Sequence, residues 1–398
     1  MLKRSENILI ELERELLYDI ENAAEWTGIP VQRLMSITNW SPVLTHAIPN
    51  WLDISKNSQI YGYSIKLPFL ENFRQFPAIL DRNLTPLSLK SEALKMIHQA
   101  AIYRLYLPSQ IIGMAISKEE LSSEYIEQLM RSVYRSIALN GKSVLFSVYP
   151  ECPNPLPLSA KYITKTEKPL PDPLPEEGLT AFAAGCIAKM LFEEEKIPDE
   201  EKKLIVIGLH SNFSDLIKLA EQNRWKIVGI NYQRAYYLNN EGFDLEMLLK
   251  DKSAVQYLSK MPNTKVANPS EFFSTESCIA IALERRPLIL EGTLEKLNCR
   301  YLFCAFKKPL HKEEIKNLDR RGIVAFPEIL FPADSLLYFH LNCVEENYGI
   351  NFCLEDYRDY LEEIVLETTR DIWKKSRCEK LDLFKLCYFV AWENLKFI

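Results

Sequence analysis

The chain has 398 residues, 47% hydrophobic and 11% aromatic, enough for two or three domains with large cores and too apolar for wholesale disorder. Its net charge of −6 argues against general nucleic-acid binding, which needs a concentrated basic surface. No run of about 18 uncharged apolar residues predicts a membrane span, and the opening MLKRSENILIELERELL is too charged for a signal-peptide core.

From the N-terminus, residues 4–36 read as helix. Leu9, Leu12, Leu16, Leu17 and Ile20 recur at helical spacing, and Thr27-Gly28-Ile29-Pro30 interrupts it. Residues 42–70 hold aromatic and β-branched residues between turn signals and read as extended. Two helices are predicted over 86–107 and 118–139, the second opened by Ser117 and Glu120 in capping-box spacing. From Pro150 to Glu176 prolines crowd at 150, 153, 155, 157, 169, 171, 173 and 175. Each proline removes a backbone donor and fixes φ, so the stretch is neither helix nor central strand and reads as a connection between domains.

A different rhythm follows. Residues 178–193 read as helix, Leu204-Ile205-Val206-Ile207 as a buried strand ending at Gly208, residues 212–223 as helix, and Lys226–Ile230 as the next strand. Strand, helix and strand within about thirty residues make the βαβ unit of a parallel sheet. Further strands are predicted at 278–282, 301–306 and 323–326, then a long amphipathic helix over 355–377 and another over 381–396.

The turn of that βαβ unit is where a dinucleotide's pyrophosphate meets glycines and a helix N-terminus. Here it reads Gly208-Leu209-His210-Ser211-Asn212-Phe213, with only the first glycine present. His210 and Phe213 place side chains where the backbone has to approach the ligand closely. The acidic residue that holds a ribose hydroxyl at the end of the second strand is also missing from Ile230-Asn231-Tyr232-Gln233-Arg234. Arg234 reads as a solvated strand-end arginine rather than a ligand of a phosphorylated ribose.

Scattered groups add little. Nine cysteines without a CxxC pair read as reduced thiols of a cytoplasmic protein. Cys299 and Cys304 are the two open to bridging or oxidation, with buried strand thiols as the plainer reading. None of the five histidines has ligand spacing to a cysteine, so no metal is expected. Lys307-Lys308 with His311 and Lys312 reads as a solvated basic loop, and Trp225, Tyr232, Tyr236 and Tyr237 as packing.

Several segments together resemble the glutamate/leucine/phenylalanine/valine dehydrogenase family. Asn231–Asn239 followed by Glu241–Leu249 is similar to the family's segment after the second nucleotide-domain strand, with its short "iYN" strand and "dGlDieaLl". Arg320–Leu330 is similar to "eRGIlviPDilaNAGG", and Glu355–Asn394 to the closing helices. Thr166-Glu167-Lys168-Pro169 stands where the family has "TGKP", and Gly178–Phe182 where it has "eaTGrG". The resemblance implies an α/β fold in two parts. Residues 1–150 would form the α/β substrate and oligomerisation domain, 151–177 the connection and 178–345 a Rossmann-like nucleotide-binding-type domain. Residues 346–398 would be helices packing back on the first domain.

The same resemblance implies lysines for the substrate carboxylate and carbonyl and an aspartate for proton relay, because developing negative charge needs cations beside it. Position by position, Gln75, Gln99 and Ile111 stand where the family has lysines, and Pro150, or its neighbour Glu151, where it has the aspartate. Neutral residues cannot replace lysines in that role. Thr180, Gly208 and Asn212 remain as vestigial cofactor contacts. The expectation is a catalytically inactive, dehydrogenase-like pseudoenzyme with no cofactor, acting as a homo-oligomer or with a protein partner in binding, regulation or scaffolding. Two alternatives stay open. One is an NAD- or NADP-dependent oxidoreductase with altered chemistry, for which His98 is a candidate base. The other is a metabolite sensor whose cleft presents Gln75, Gln99 and Arg104.

Overall fold

The computed structural model describes residues 42–44, 60–66, 75–81, 95–106, 110–116, 143–148, 179–209, 213–232, 234–250, 258–283, 288, 290–306, 310–332, 336–337, 340–341, 343–344, 348–349 and 354–395. The expected helices over 4–36 and 118–139, the proline-rich connection, Pro150, Glu151, His210, Asn212, Lys307 and Lys308 lie outside them. The chain divides into two units. Unit 1 comprises Met1–Glu176, Ala333–Tyr357 and Tyr388–Ile398, and unit 2 comprises Glu177–Pro332 and Arg358–Cys387.

Unit 1 is built on five strands, β1 (Pro42–Leu44), β2 (Ile60–Lys66), β3 (Gln75–Asp81), β4 (Gln110–Ile116) and β5 (Ser143–Val148), in the order β1-β2-β4-β3-β5. β2 runs antiparallel to β1 and β4, whereas β3 is parallel to both β4 and β5. A parallel pair needs a crossover, and the one between β3 and β4 carries helix α1 (95–102). Met96, His98 and residues 99–102 are all buried. The helix stops short of the expected residue 107 because Arg104 turns into the left-handed region at φ 54°. The Leu105 N–H then donates to Ala100 O at 2.8 Å and the Arg104 N–H to Ala101 O at 3.2 Å, a Schellman closure. Segments distant in sequence complete this core. The Tyr106 N–H donates to His340 Nδ1 at 3.0 Å, Asn394 Nδ2 donates to Ala101 O at 2.8 Å, and Tyr388 packs edge-on against His98 at 5.1 Å.

Unit 2 opens with helix α2 (Leu179–Glu194), buried along most of its length. It continues with β6 (Lys203–Leu209), α3 (Ser214–Gln222), β7 (Lys226–Tyr232), β8 (Ala235–Leu238), α4 (Leu245–Lys250), β9 (Lys265–Ala267) and α5 (Pro269–Phe273). After these come β10 (Ser277–Ala282), β11 (Cys299–Cys304), α6 (Lys312–Arg320), β12 (Val324–Phe326), α7 (Leu354–Glu379) and α8 (Leu383–Leu395). The last two helices cross the division between the units. The sheet runs β12-β11-β10-β6-β7-β8-β9. Its first five strands are mutually parallel, and β8 and β9 close one edge antiparallel. Every residue of β10 is buried, as a parallel sheet covered on both faces requires.

All five strand runs read from the sequence in this half are strands here. The short strands β8 and β9 and the five-residue helix α5 carry too few residues to show a period. The C-terminal residues divide between the two units. Residues 333–345 group with unit 1, and Arg358–Cys387 with unit 2. In unit 2 the buried Trp373 of α7 packs against Tyr301 and Phe326, ring centroids 6.1 and 5.4 Å apart, and ion pairs flank this contact. α2 ends in Glu193-Glu194-Glu195, unfavourable beside the negative end of its own dipole. Arg370 Nε lies 3.0 Å and Lys374 Nζ 3.4 Å from Glu194, and Lys189 Nζ lies 2.9 Å from Glu362. Trp373 Nε1 donates to Glu195 at 3.1 Å. Helical periodicity specifies an apolar stripe but not the surface that receives it.

Candidate functional site

The strand order of unit 2 reverses at β6. The chain leaves β6 for β7 on one side and later returns to β10 on the other. Ligands of open α/β sheets bind at such a switch point, outside the carboxyl ends of the strands. Here Gly208 lies at the end of β6 and Leu283 just after β10, and the Leu283 N–H donates to Ile207 O at 2.8 Å.

Gly208 has φ 76°, a left-handed turn that glycine adopts without strain. Its N–H donates to Asn231 Oδ1 at 2.9 Å, and Asn231 Nδ2 donates to Ala235 O at 3.1 Å. Asn231 is fully buried at the end of β7. Its amide therefore stitches the end of β6 to the β7–β8 turn, in the place where a ribose-binding carboxylate would stand. Phe213, also buried, is the N-cap of α3 and offers no side-chain cap. Asp215, in the first turn of α3, is buried and accepts from Arg358 at 2.7 Å, with Lys218 Nζ 3.6 Å away. The positive end of α3 thus already holds a carboxylate of the chain itself. Thr180, second residue of α2, donates its hydroxyl to Pro332 O at 2.9 Å.

The positions in unit 1 are placed as follows. Gln75 opens β3, in register with Ser143, and Ile111 lies in β4 opposite Ile65. Gln99 is fully buried in α1. Its neighbour His98 is buried too, and burial pushes the imidazole down to about 3. Desolvation favours the neutral ring near pH 7. Arg104 is exposed and ends α1 rather than presenting its charge from within the helix. Arg234 is exposed in the β7–β8 turn.

Among the described residues, no group of three or more His, Cys, Asp or Glu side chains is placed to hold a metal ion, and no helix is long and apolar enough to cross a membrane. Cys299 and Cys304 stand at opposite ends of β11, roughly 16 Å apart at strand rise, too far for a disulfide. Burial pushes Cys278 up to about 11 and Cys299 up to about 12, so both thiols are inert near neutrality. His311 begins α6, its N–H donating to Glu314 at 2.6 Å. Trp225 and Tyr236 pack against Phe192 and Phe272, ring centroids 5.1 and 5.2 Å apart.

This architecture extends over nearly the whole of two solved structures. The hetero-hexameric glutamate dehydrogenase from Thermus thermophilus (Leu bound form) matches with a TM-score of 0.67 at 17% identity, over 95% of each chain. Glutamate dehydrogenase from Peptoniphilus asaccharolyticus matches with a TM-score of 0.71 at 16% identity, over 96% of each chain. The fold is that of glutamate dehydrogenase. The curated sequence relatives are glutamate dehydrogenases as well, in keeping with the amino-acid dehydrogenase family that the sequence resembles. A cryptic catabolic NAD-specific glutamate dehydrogenase from Bacillus subtilis is 22% identical over 215 residues, 54% of this chain and 50% of that protein. The chain spans about half the length of the curated relatives it matches. No protein-family model matches it.

Sequence reasoning singled out Gly208 at the end of β6 but missed Asn231 as a lock and Asp215 with Arg358. A polar residue closing the apolar run Ile227–Ile230 was the available signal for Asn231. The Asp215–Arg358 pair left none, since its members lie 143 residues apart.

Proposed function

We propose that this glutamate dehydrogenase-like chain has given up amino-acid dehydrogenase chemistry and works by binding, as a regulatory or scaffold protein in a homo-oligomer or with a protein partner. The observation that carries this reading is the end of β6. Asn231 takes the Gly208 N–H and keeps its own amide on backbone, so the crevice lacks the ribose acid and its first glycine amide is already used. The buried Phe213 and the Asp215 carboxylate at the start of α3 work against a pyrophosphate in the usual pose. These residues do not fit a dinucleotide. Gln75, Gln99 and Ile111 add the second support, because none supplies a cation for a carboxylate or an oxyanion.

The alternative, an NAD- or NADP-dependent oxidoreductase with altered chemistry, draws on the NAD-specific name of the Bacillus subtilis relative and on the left-handed Gly208 turn. Calorimetry with NAD(H) and NADP(H), followed by assays of glutamate and branched-chain or aromatic amino-acid oxidation, separates the two. The proposal expects no heat at millimolar dinucleotide and no turnover. Micromolar binding, or turnover of any amino acid, would overturn it.

A further inference from the structure

We draw no further inference here: the strongest candidate, the cleft of about 320 Å3 in unit 2 that Asp319 of α6, Val324 of β12, Trp373 and Arg377 of α7 and Asp382 wall off beside the α7–α8 corner, sets two carboxylates against an apolar wall, and nothing in the structure shows what covers it.

Discussion

Asn231 is a small, fully buried side chain with two backbone partners. Replacing it with alanine leaves the Gly208 N–H and the Ala235 carbonyl without it, and each buried polar group so abandoned costs about 1–3 kcal/mol. We expect Asn231→Ala to destabilise the protein by about 2–4 kcal/mol in urea denaturation. A loss below about 0.5 kcal/mol would show that the amide is dispensable. The two buried histidines of unit 1 make a second expectation at this scale. Burial pushes His98 to about 3 and His340 to about 4, from 6.5, and His340 Nδ1 must stay unprotonated to accept from Tyr106. Unfolded, each ring binds its proton near 6.5. Between that pH and the folded values the unfolded chain therefore holds more protons. The stability contributed by the neutral rings is complete above pH 6.5 and falls, as pH drops, by about 1.4 kcal/mol per unit for each histidine. Denaturation at pH 7, 6 and 5 should show a slope shallower by about that amount in His98→Gln than in the wild type. Parallel slopes would sink the assignment.

At the scale of elements, close packing and helix endings decide. Gly229 lies within β7, and a Cβ there would come 2.9 Å from Ile205 Cγ2 and 2.9 Å from Phe272 Cε2. Both neighbours are fully buried and have little room to yield. Gly229→Ala is expected to cost about 1–3 kcal/mol as overpacking, read as a lower denaturation midpoint. A neutral result would mean that α5 shifts freely on the sheet. Several helices end with a basic residue at the left-handed position where glycine is usual, among them Lys196 at φ 49° after α2 and Arg224 at φ 57° after α3. The Trp225 N–H closes back on Ala220 O at 2.8 Å. A cation suits the negative end of the helix, but its Cβ is strained there. Arg224→Gly should therefore leave the fold intact and stabilise it by up to about 1 kcal/mol. A clear loss would mean that the charge outweighs the strain.

For the molecule as a whole, the expectation is that dinucleotide does not act as a stabilising ligand. A ligand present at a hundred times its Kd adds about 2.7 kcal/mol to stability. A micromolar site would therefore shift Tm by several degrees at millimolar NAD(H), and we expect no shift. Such a shift, reproduced in Asn231→Ala, would locate the nucleotide away from the β6–β7 lock. The fold was largely legible in the C-terminal half, because buried parallel strands are short apolar runs and their βαβ spacing is local. The family likeness was legible for the same reason, through the order and spacing of many segments.

Of the candidate site, the residue types at the positions of the resemblance were legible. Neutral Gln75, Gln99 and Ile111, the solitary Gly208 and the missing acid after β7 can be read residue by residue, since a missing charge or glycine needs no partner to be seen. The sequence by itself therefore determined the five parallel strand runs of the C-terminal half and the α/β class. Tertiary structure alone decided that Asn231 closes on Gly208, that Asp215 is held by Arg358, that His98 is buried, and that Arg358–Cys387 joins the unit of α2. Each of these depends on burial or on pairing between residues that the chain separates, by 23 positions for Gly208 and Asn231 and by 143 for Asp215 and Arg358. Local propensity carries no information at such range, so only folding brings those partners within hydrogen-bonding distance.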